Sequence, residues 1–308
     1  MSLAQHLTAL QETAIGSFLS SMSSYTGIII KGIGGFYYVA LPDGRVVECS
    51  ARGKLRRQKI KPMVGDNVSI TIQDGCQDGG AIESISPRRT YFVRPPVANV
   101  DQVAIVIATA SPLPDLFIID KLTVQASIQG IEPIICVNKT DIAKGSDVID
   151  IYKKAGYKVF PLSATKSEGV SDLGLVLGGK ITAFAGNSGV GKSSILRELG
   201  FDAPVGSVSK IERGRHTTRH VELFPLQGGG FVIDTPGFSL LDLEDISENE
   251  LASHFKDFTG LDNCTFRGCN HLGSSGCAVV KALEEGKISV SRYESYSKLY
   301  QTLQKQSR

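Results

Sequence analysis

Residues 181–193 read Ile181-Thr182-Ala183-Phe184-Ala185-Gly186-Asn187-Ser188-Gly189-Val190-Gly191-Lys192-Ser193. A short apolar run enters G-x-x-x-x-G-K-S, and from Lys192 to Leu199 the apolar residues recur with helical spacing. Strand, glycine-rich loop and helix in that order are the context a phosphate-binding loop requires. The glycines let successive backbone N–H groups turn inward around phosphates at the positive end of a helix. Lys192 suits the β- and γ-phosphates, and the Ser193 hydroxyl suits Mg²⁺. A chance glycine-rich turn with a surface lysine would fit the same letters, but the strand before it and the helix after it argue otherwise.

Working outward, apolar strands alternate with helical segments. Strands are expected at Val100–Ala108, Pro133–Val137, Val159–Ser163, Ile181–Ala185, near Val221–Leu226 and at Phe231–Ile233. Helices are expected near Leu116–Gln129, Asp147–Ala155, Val170–Leu177 and Lys192–Leu199. Such alternation indicates an α/β fold whose parallel sheet is covered on both faces. Phe231-Val232-Ile233-Asp234-Thr235-Pro236-Gly237 ends one strand with an acid, placing Asp234 to hold Mg²⁺ and Gly237 to bring a backbone N–H to the γ-phosphate. Asn138-Lys139-Thr140-Asp141 follows another strand. The Asp141 carboxylate can accept from the ring N–H and the exocyclic amine of guanine, a donor pair adenine lacks. Lys139 can lie across the base, Asn138 can brace the loop, and Ser163-Ala164-Thr165 fits a second base-supporting loop. Both guanine motifs precede the phosphate loop, the reverse of the order in ordinary GTPases. The domain therefore reads as circularly permuted, which neighbouring surface termini permit.

Catalysis is less legible. Gly214-Arg215-His216-Thr217-Thr218-Arg219-His220 lies between the phosphate loop and Asp234, where a switch segment supplies a threonine to Mg²⁺ and the γ-phosphate. Thr217 or Thr218 fits. Phe238 occupies the place where a Ras-like enzyme carries a water-orienting glutamine. Hydrolysis then needs another group, and His216 can accept from the attacking water at neutral pH. Alternatively, His216 only packs in its loop, with electrostatics and positioning carrying the reaction.

Cys264, Cys269, His271 and Cys277 form C-x₄-C-x-H-x₅-C, a donor set for a closed tetrahedral structural zinc site. The surrounding segment shows no strong core pattern, so metal is expected to substitute for buried area there. A disulfide or free surface thiols would also account for the cluster. Cys49, Cys76 and Cys136 are scattered and read as structural.

The front of the chain has a different texture. Short strands are expected at Gly27–Lys31, Gly35–Ala40, Arg45–Ser50, Asn67–Ile72 and Ala81–Ser84, with glycine, proline and aspartate turns between them. They suggest a small OB-like β-barrel, a common nucleic-acid platform. Arg52, Lys54, Arg56, Arg57, Lys59 and Lys61 form a run free of acidic residues. It reads either as a solvated loop or as an RNA contact. Residues 1–97 hold 11 Lys and Arg against 7 Asp and Glu, leaving 22 against 24 in the rest, so the formal charge of +2 conceals a basic front. Residues 1–24 are assigned no function. Arg94-Pro95-Pro96 is expected to be a stiff connector between domains. At 308 residues, 42% hydrophobic and 21% charged, the chain has the composition of an ordinary globular protein, and no apolar run approaches the roughly 20 residues of a membrane span.

In motif content and order, the chain from about Gly27 onward resembles the circularly permuted, small-ribosomal-subunit-dependent GTPases of the RsgA (YjeQ/YloQ) type. The resemblance implies an OB-like barrel over 25–92, a permuted P-loop GTPase core over 93–243 and an α-helical zinc-binding domain over 244–308. It makes Asn138, Lys139, Asp141, Ser163, Ala164, Gly186–Ser194, Thr217, Thr218, Asp234 and Gly237 the nucleotide contacts. Lys192, His216 and Thr218 become the catalytic set, and Ser193, Thr218 and Asp234 the Mg²⁺ ligands. Further expectations are one structural Zn²⁺, GTP and GDP as nucleotides, late maturation of the small subunit through contacts with its rRNA, and release on hydrolysis. The protein is expected to be a cytoplasmic monomer without a membrane partner. From another class, a nucleotide-gated RNA-binding adaptor with negligible catalysis fits the loss of the glutamine, and steady-state phosphate release separates the two.

Overall fold

The computed structural model describes residues 22–57, 60–73, 79–92, 96–201, 221–233, 246–273 and 275–306. Lys59, Cys76, Arg94, Pro95, His216, Thr217, Thr218, Asp234, Gly237 and Phe238 lie outside these residues, as does most of the leader. The chain divides into two compact units, Met1–Arg88 and Arg89–Arg308.

The first unit is a closed barrel of β1 (Met22–Ile33), β2 (Phe36–Ala40), β3 (Val46–Ala51), β4 (Asn67–Gln73) and β5 (Gly80–Ile85) in the order β1-β2-β3-β5-β4. Its pairs are antiparallel except β3 with β5, and β1 closes the ring on β4. Alternation along the strands fills the interior with Ile29, Val39, Val47, Val68, Ile70 and Ile82, as a half-buried strand requires. At Gly27 a Cβ would lie 2.5 Å from the Ala40 carbonyl oxygen, so only glycine lets β1 and β2 approach there. β1 begins at Met22, earlier than the expected Gly27, with Ser23 and Ser24 paired to Ile72 and Thr71. The end of the serine-rich stretch is thus a barrel strand, its edge recruited by the full length of β4. Between β3 and β4, the short helix α1 (Gly53–Arg57) is pinned by buried Leu55.

The second unit opens with a small ribbon, β6 (Tyr91–Phe92) against β7 (Val97–Ala98). Its sheet contains β8 (Gln102–Ala108), β9 (Glu132–Asn138), β10 (Lys158–Pro161), β11 (Ile181–Ala185), β12 (Leu223–Pro225) and β13 (Phe231–Ile233) in the order β10-β9-β8-β11-β13-β12. Every residue of β8 and β11 is buried, as for strands covered on both faces. Helices α2 (Leu116–Ile128), α3 (Ser146–Lys154), α4 (Val170–Leu177) and α5 (Lys192–Glu198) connect the strands. Only the edge strand departs from the expected parallel arrangement: β12 runs antiparallel to β13. The tight turn through Gly229 and Gly230, both at positive φ, leaves too little chain for a crossover.

The chain ends in two 3-10 turns, Leu251–His254 and Lys256–Phe258, followed by α6 (Ala278–Glu284) and α7 (Val290–Gln306). The expectation of a coreless segment is wrong. Phe255, Phe258, Val279, Ile288, Tyr296, Leu299, Tyr300 and Leu303 bury together with Val124 of α2. The seam draws its apolar residues from two short turns and two helices, and two of them, Tyr296 and Tyr300, read as polar but carry large apolar rings. No helix among the described residues is long and apolar enough to cross a membrane.

Candidate functional site

The carboxyl ends of β8, β9, β10 and β11 meet the loops named in the sequence. After β11, Gly186, Gly189 and Gly191 all have positive φ, which L side chains rarely adopt. A Cβ at Gly186 would fall 2.1 Å from the Val106 carbonyl oxygen, and one at Gly191 would fall 2.2 Å from Asn138 Nδ2. The loop therefore packs onto its neighbours through bare backbone. Val190 anchors it in the core, while Asn187, Ser188 and Gly189 face solvent. Lys192 Nζ donates to the Gly186 and Asn187 carbonyls at 2.7 and 2.8 Å, so its ammonium already sits over the loop that must cradle phosphate. Ser193 is exposed at the start of α5 with Ser194 beside it.

Asn138 joins three motifs. Its Nδ2 donates to the Val190 carbonyl at 2.9 Å, and its Oδ1 accepts from the Ala164 amide at 3.1 Å. Both ends of a buried amide are satisfied, so the three loops are fixed relative to one another. Lys139 sits at φ 65° and its Nζ donates to the carbonyls of Ser111 at 2.6 Å and Gly189 at 2.8 Å. Ser163 and Thr165 donate to the two Asp141 oxygens at 2.8 and 3.3 Å. The Ser163 hydroxyl holds the Asp141 carboxyl below the usual carboxylate range. An exposed carboxylate kept ionised and aimed by two hydroxyls can receive a pair of N–H donors from a purine edge. Guanine offers them and adenine does not.

Far along the chain, the ligand atoms of Cys264, Cys269, His271 and Cys277 lie within 4.8 Å of one another. His271 Nδ1 is 3.5 Å from Cys264 Sγ and 3.4 Å from Cys277 Sγ, and the two sulfurs are 4.0 Å apart. A tetrahedral Zn²⁺ with Zn–S near 2.3 Å has edges of about 3.7 Å, so the cluster fits that ion. The Ala278 and His271 amides donate to Cys264 and Cys269 sulfur, each at 3.4 Å, which favours thiolates. Burial lowers the His271 pKa, keeping the imidazole neutral for ligation, and pushes the Cys277 thiol up to about 11. A bound cation would reverse the effect on the thiol.

Residues 85–244 match the RsgA GTPase family, and residues 26–81 match the RsgA N-terminal domain. The chain belongs to the RsgA GTPase family. The small ribosomal subunit biogenesis GTPase RsgA of Ruminiclostridium cellulolyticum is 45% identical, over 90% of this chain and 93% of that one. Its namesake from Alkaliphilus metalliredigens is 45% identical over 92% and 99%. YjeQ from Thermotoga maritima superposes with a TM-score of 0.80 at 34% identity, covering 91% of this chain and 99% of that one. YloQ, described as a circularly permuted GTPase, gives 0.78 at 35% identity over 92% and 96%. Like other members of the RsgA family, the chain is a GTPase, with GTP and GDP as nucleotides and Mg²⁺ as their counter-ion.

Among the barrel's basic residues, Arg52 pairs with Glu83 at 2.8 Å, while Lys54 and Lys61 are exposed. Arg56 and Arg57 belong to α1. Sequence reasoning missed Thr109, whose Oγ1 donates to the Lys139 carbonyl at 2.7 Å, and Ser111, whose carbonyl receives the Lys139 ammonium. Neither carries a motif; only the close of β8 beside β9 brings them in. Cys49 and Cys136 are buried thiols, pushed by burial to about 11 and about 12, which agrees with a structural role. Cys76 lies outside the described residues.

Proposed function

We propose that this GTPase is a biogenesis factor of the small ribosomal subunit, binding the immature subunit through its rRNA and leaving on GTP hydrolysis. The observation that carries the reading is the meeting of Asn138 with Val190 and Ala164. Those contacts draw together the loops read as a guanine-nucleotide site in permuted order, and the relatives that match over nine-tenths of this chain are named for small ribosomal subunit biogenesis. Domains 25–92, 93–243 and 244–308 then serve as RNA-binding barrel, switch and zinc-bearing contact, with 1–24 unassigned. Arg52, Lys54, Arg56, Arg57, Lys59 and Lys61 meet phosphate. Ser193, Thr218 and Asp234 would hold Mg²⁺, which would supply positive charge to the nucleotide's phosphates, and Lys192 would neutralise the charge that develops during transfer. His216 accepts the proton of the attacking water, taking the part that Phe238 cannot. Zn²⁺ held by Cys264, Cys269, His271 and Cys277 fixes the C-terminal loop without entering the reaction. The protein works as a monomer in the cytoplasm, where its substrate particle assembles.

Co-sedimentation with small subunits tests the proposal. Binding should be strong with a non-hydrolysable GTP analogue and weak with GDP. Lys54→Glu with Lys61→Glu should weaken it in a salt-dependent way. Equal binding in both nucleotide states would refute the cycle. His216→Ala should cut turnover by about a hundredfold while leaving GTP affinity nearly intact, and unchanged turnover would return His216 to packing.

A further inference from the structure

A fully buried guanidinium sits in the joint between the C-terminal segment and the GTPase core. Arg292 of α7 has no exposed surface. Its Nη1 donates to Asp120 of α2 at 2.7 Å, and its Nη2 and Nε donate to the two Asp257 oxygens at 2.7 and 3.2 Å. Asp120 also accepts from the Tyr152 hydroxyl of α3 at 2.8 Å. One side chain thus ties α7 to α2, to α3 through Tyr152, and to the second 3-10 turn. Lys298 over the Phe117 ring, at 3.9 Å, and Ser127 with His254, at 3.1 Å, flank the same joint.

Two contacts extend this joint in opposite directions. Beside Arg292 on α7, the Tyr293 and Tyr296 hydroxyls donate to the His271 and Asn270 carbonyls, each at 2.8 Å, so the Cys/His loop rests on the helix. At its other end, α2 starts after Ser111–Asp115, a segment that accepts the Lys139 ammonium through the Ser111 carbonyl. The same ammonium holds the Gly189 carbonyl of the phosphate loop. Pro112, Leu113 and Ile118 share a cleft with Asn187 and Val190, placing the start of α2 beside that loop.

We propose that Arg292 is a positioning residue that couples the Cys/His loop to the nucleotide site through α2 and Lys139. The C-terminal segment then moves with the core. Nucleotide binding, by fixing Lys139 and the phosphate loop, steadies α2 and through Arg292 the metal loop. Linkage requires the reverse effect of equal size.

Hydrogen exchange on the full, zinc-loaded chain tests this without ribosomal particles. GDP should slow exchange in 290–296 and 264–277 by about tenfold, the middle of the usual coupling range. Arg292→Lys keeps the charge but loses the fork that spans two carboxylates. It should abolish the GDP effect in both segments, leave GDP protection at 186–193, and weaken GDP affinity by about tenfold. A merely structural Arg292 would raise exchange in α7 with and without GDP alike and leave GDP affinity unchanged, and that result overturns the proposal. So does wild-type exchange indifferent to GDP. Should Arg292→Lys fail to fold, Tyr293→Phe with Tyr296→Phe decides. The GDP effect should disappear at 264–277 and persist at 290–296, and its persistence in both segments, or loss from both, overturns the coupling.

Discussion

At the scale of single residues, the site works by close approach. Asn138 is buried and bonded at both ends of its amide, so a methyl group at Gly191 has no flexible neighbour to displace. Gly191→Ala should lower GDP affinity by about tenfold or more, because residual strain of a few kcal/mol falls on the phosphate loop. Titration with a fluorescent GDP would measure it, and undiminished affinity would show that the loop can give way. Asp141→Asn removes the charged acceptor for the guanine donors. GDP should bind about a hundredfold more weakly and xanthosine diphosphate should become the better ligand. Because the Ser163 hydroxyl holds the Asp141 pKa down, its charge persists as pH falls to the ordinary carboxylate range. Guanine preference should therefore stay constant over mildly acidic pH. A preference fading well above that range would assign recognition elsewhere.

At the scale of elements, most of the architecture was legible and the joints were not. The strands of the core and the helix Val170–Leu177 follow directly from apolar runs and glycine punctuation. By contrast, an arginine between a serine and a tyrosine on an amphipathic helix reads as solvated. Arg292 is buried only because carboxylates 172 and 35 residues away converge on it. Tyr296 in the seam around it was hidden for a related reason, since its hydroxyl needs a polar partner, the Asn270 carbonyl, that only the fold supplies. Its presence changes what metal removal should do. Chelating a metal held by the Cys/His loop should lower the melting temperature, yet the helical signal of α6 and α7 should survive because Phe255, Tyr296 and Leu299 still bury one another. Complete unfolding of Leu251–Gln306 on chelation would show that metal, not this core, holds the segment. Arg292→Met, by contrast, leaves two buried carboxylates unpaired and should cost about 3–5 kcal/mol in urea unfolding.

At the scale of the whole molecule, the two units divide the work that a biogenesis GTPase must do. The barrel unit carries the basic excess, and the second unit holds the guanine site, the phosphate loop and the Cys/His cluster. A chain that only gated RNA binding would need the first and a nucleotide pocket, but no turnover. The most direct measurement is steady-state GTP turnover by the full chain, alone, with purified small ribosomal subunits, and with the bare rRNA extracted from them. The account predicts slow turnover alone, strong stimulation by intact subunits and little by bare RNA. Turnover that subunits leave unchanged, or that bare RNA raises equally, would contradict it.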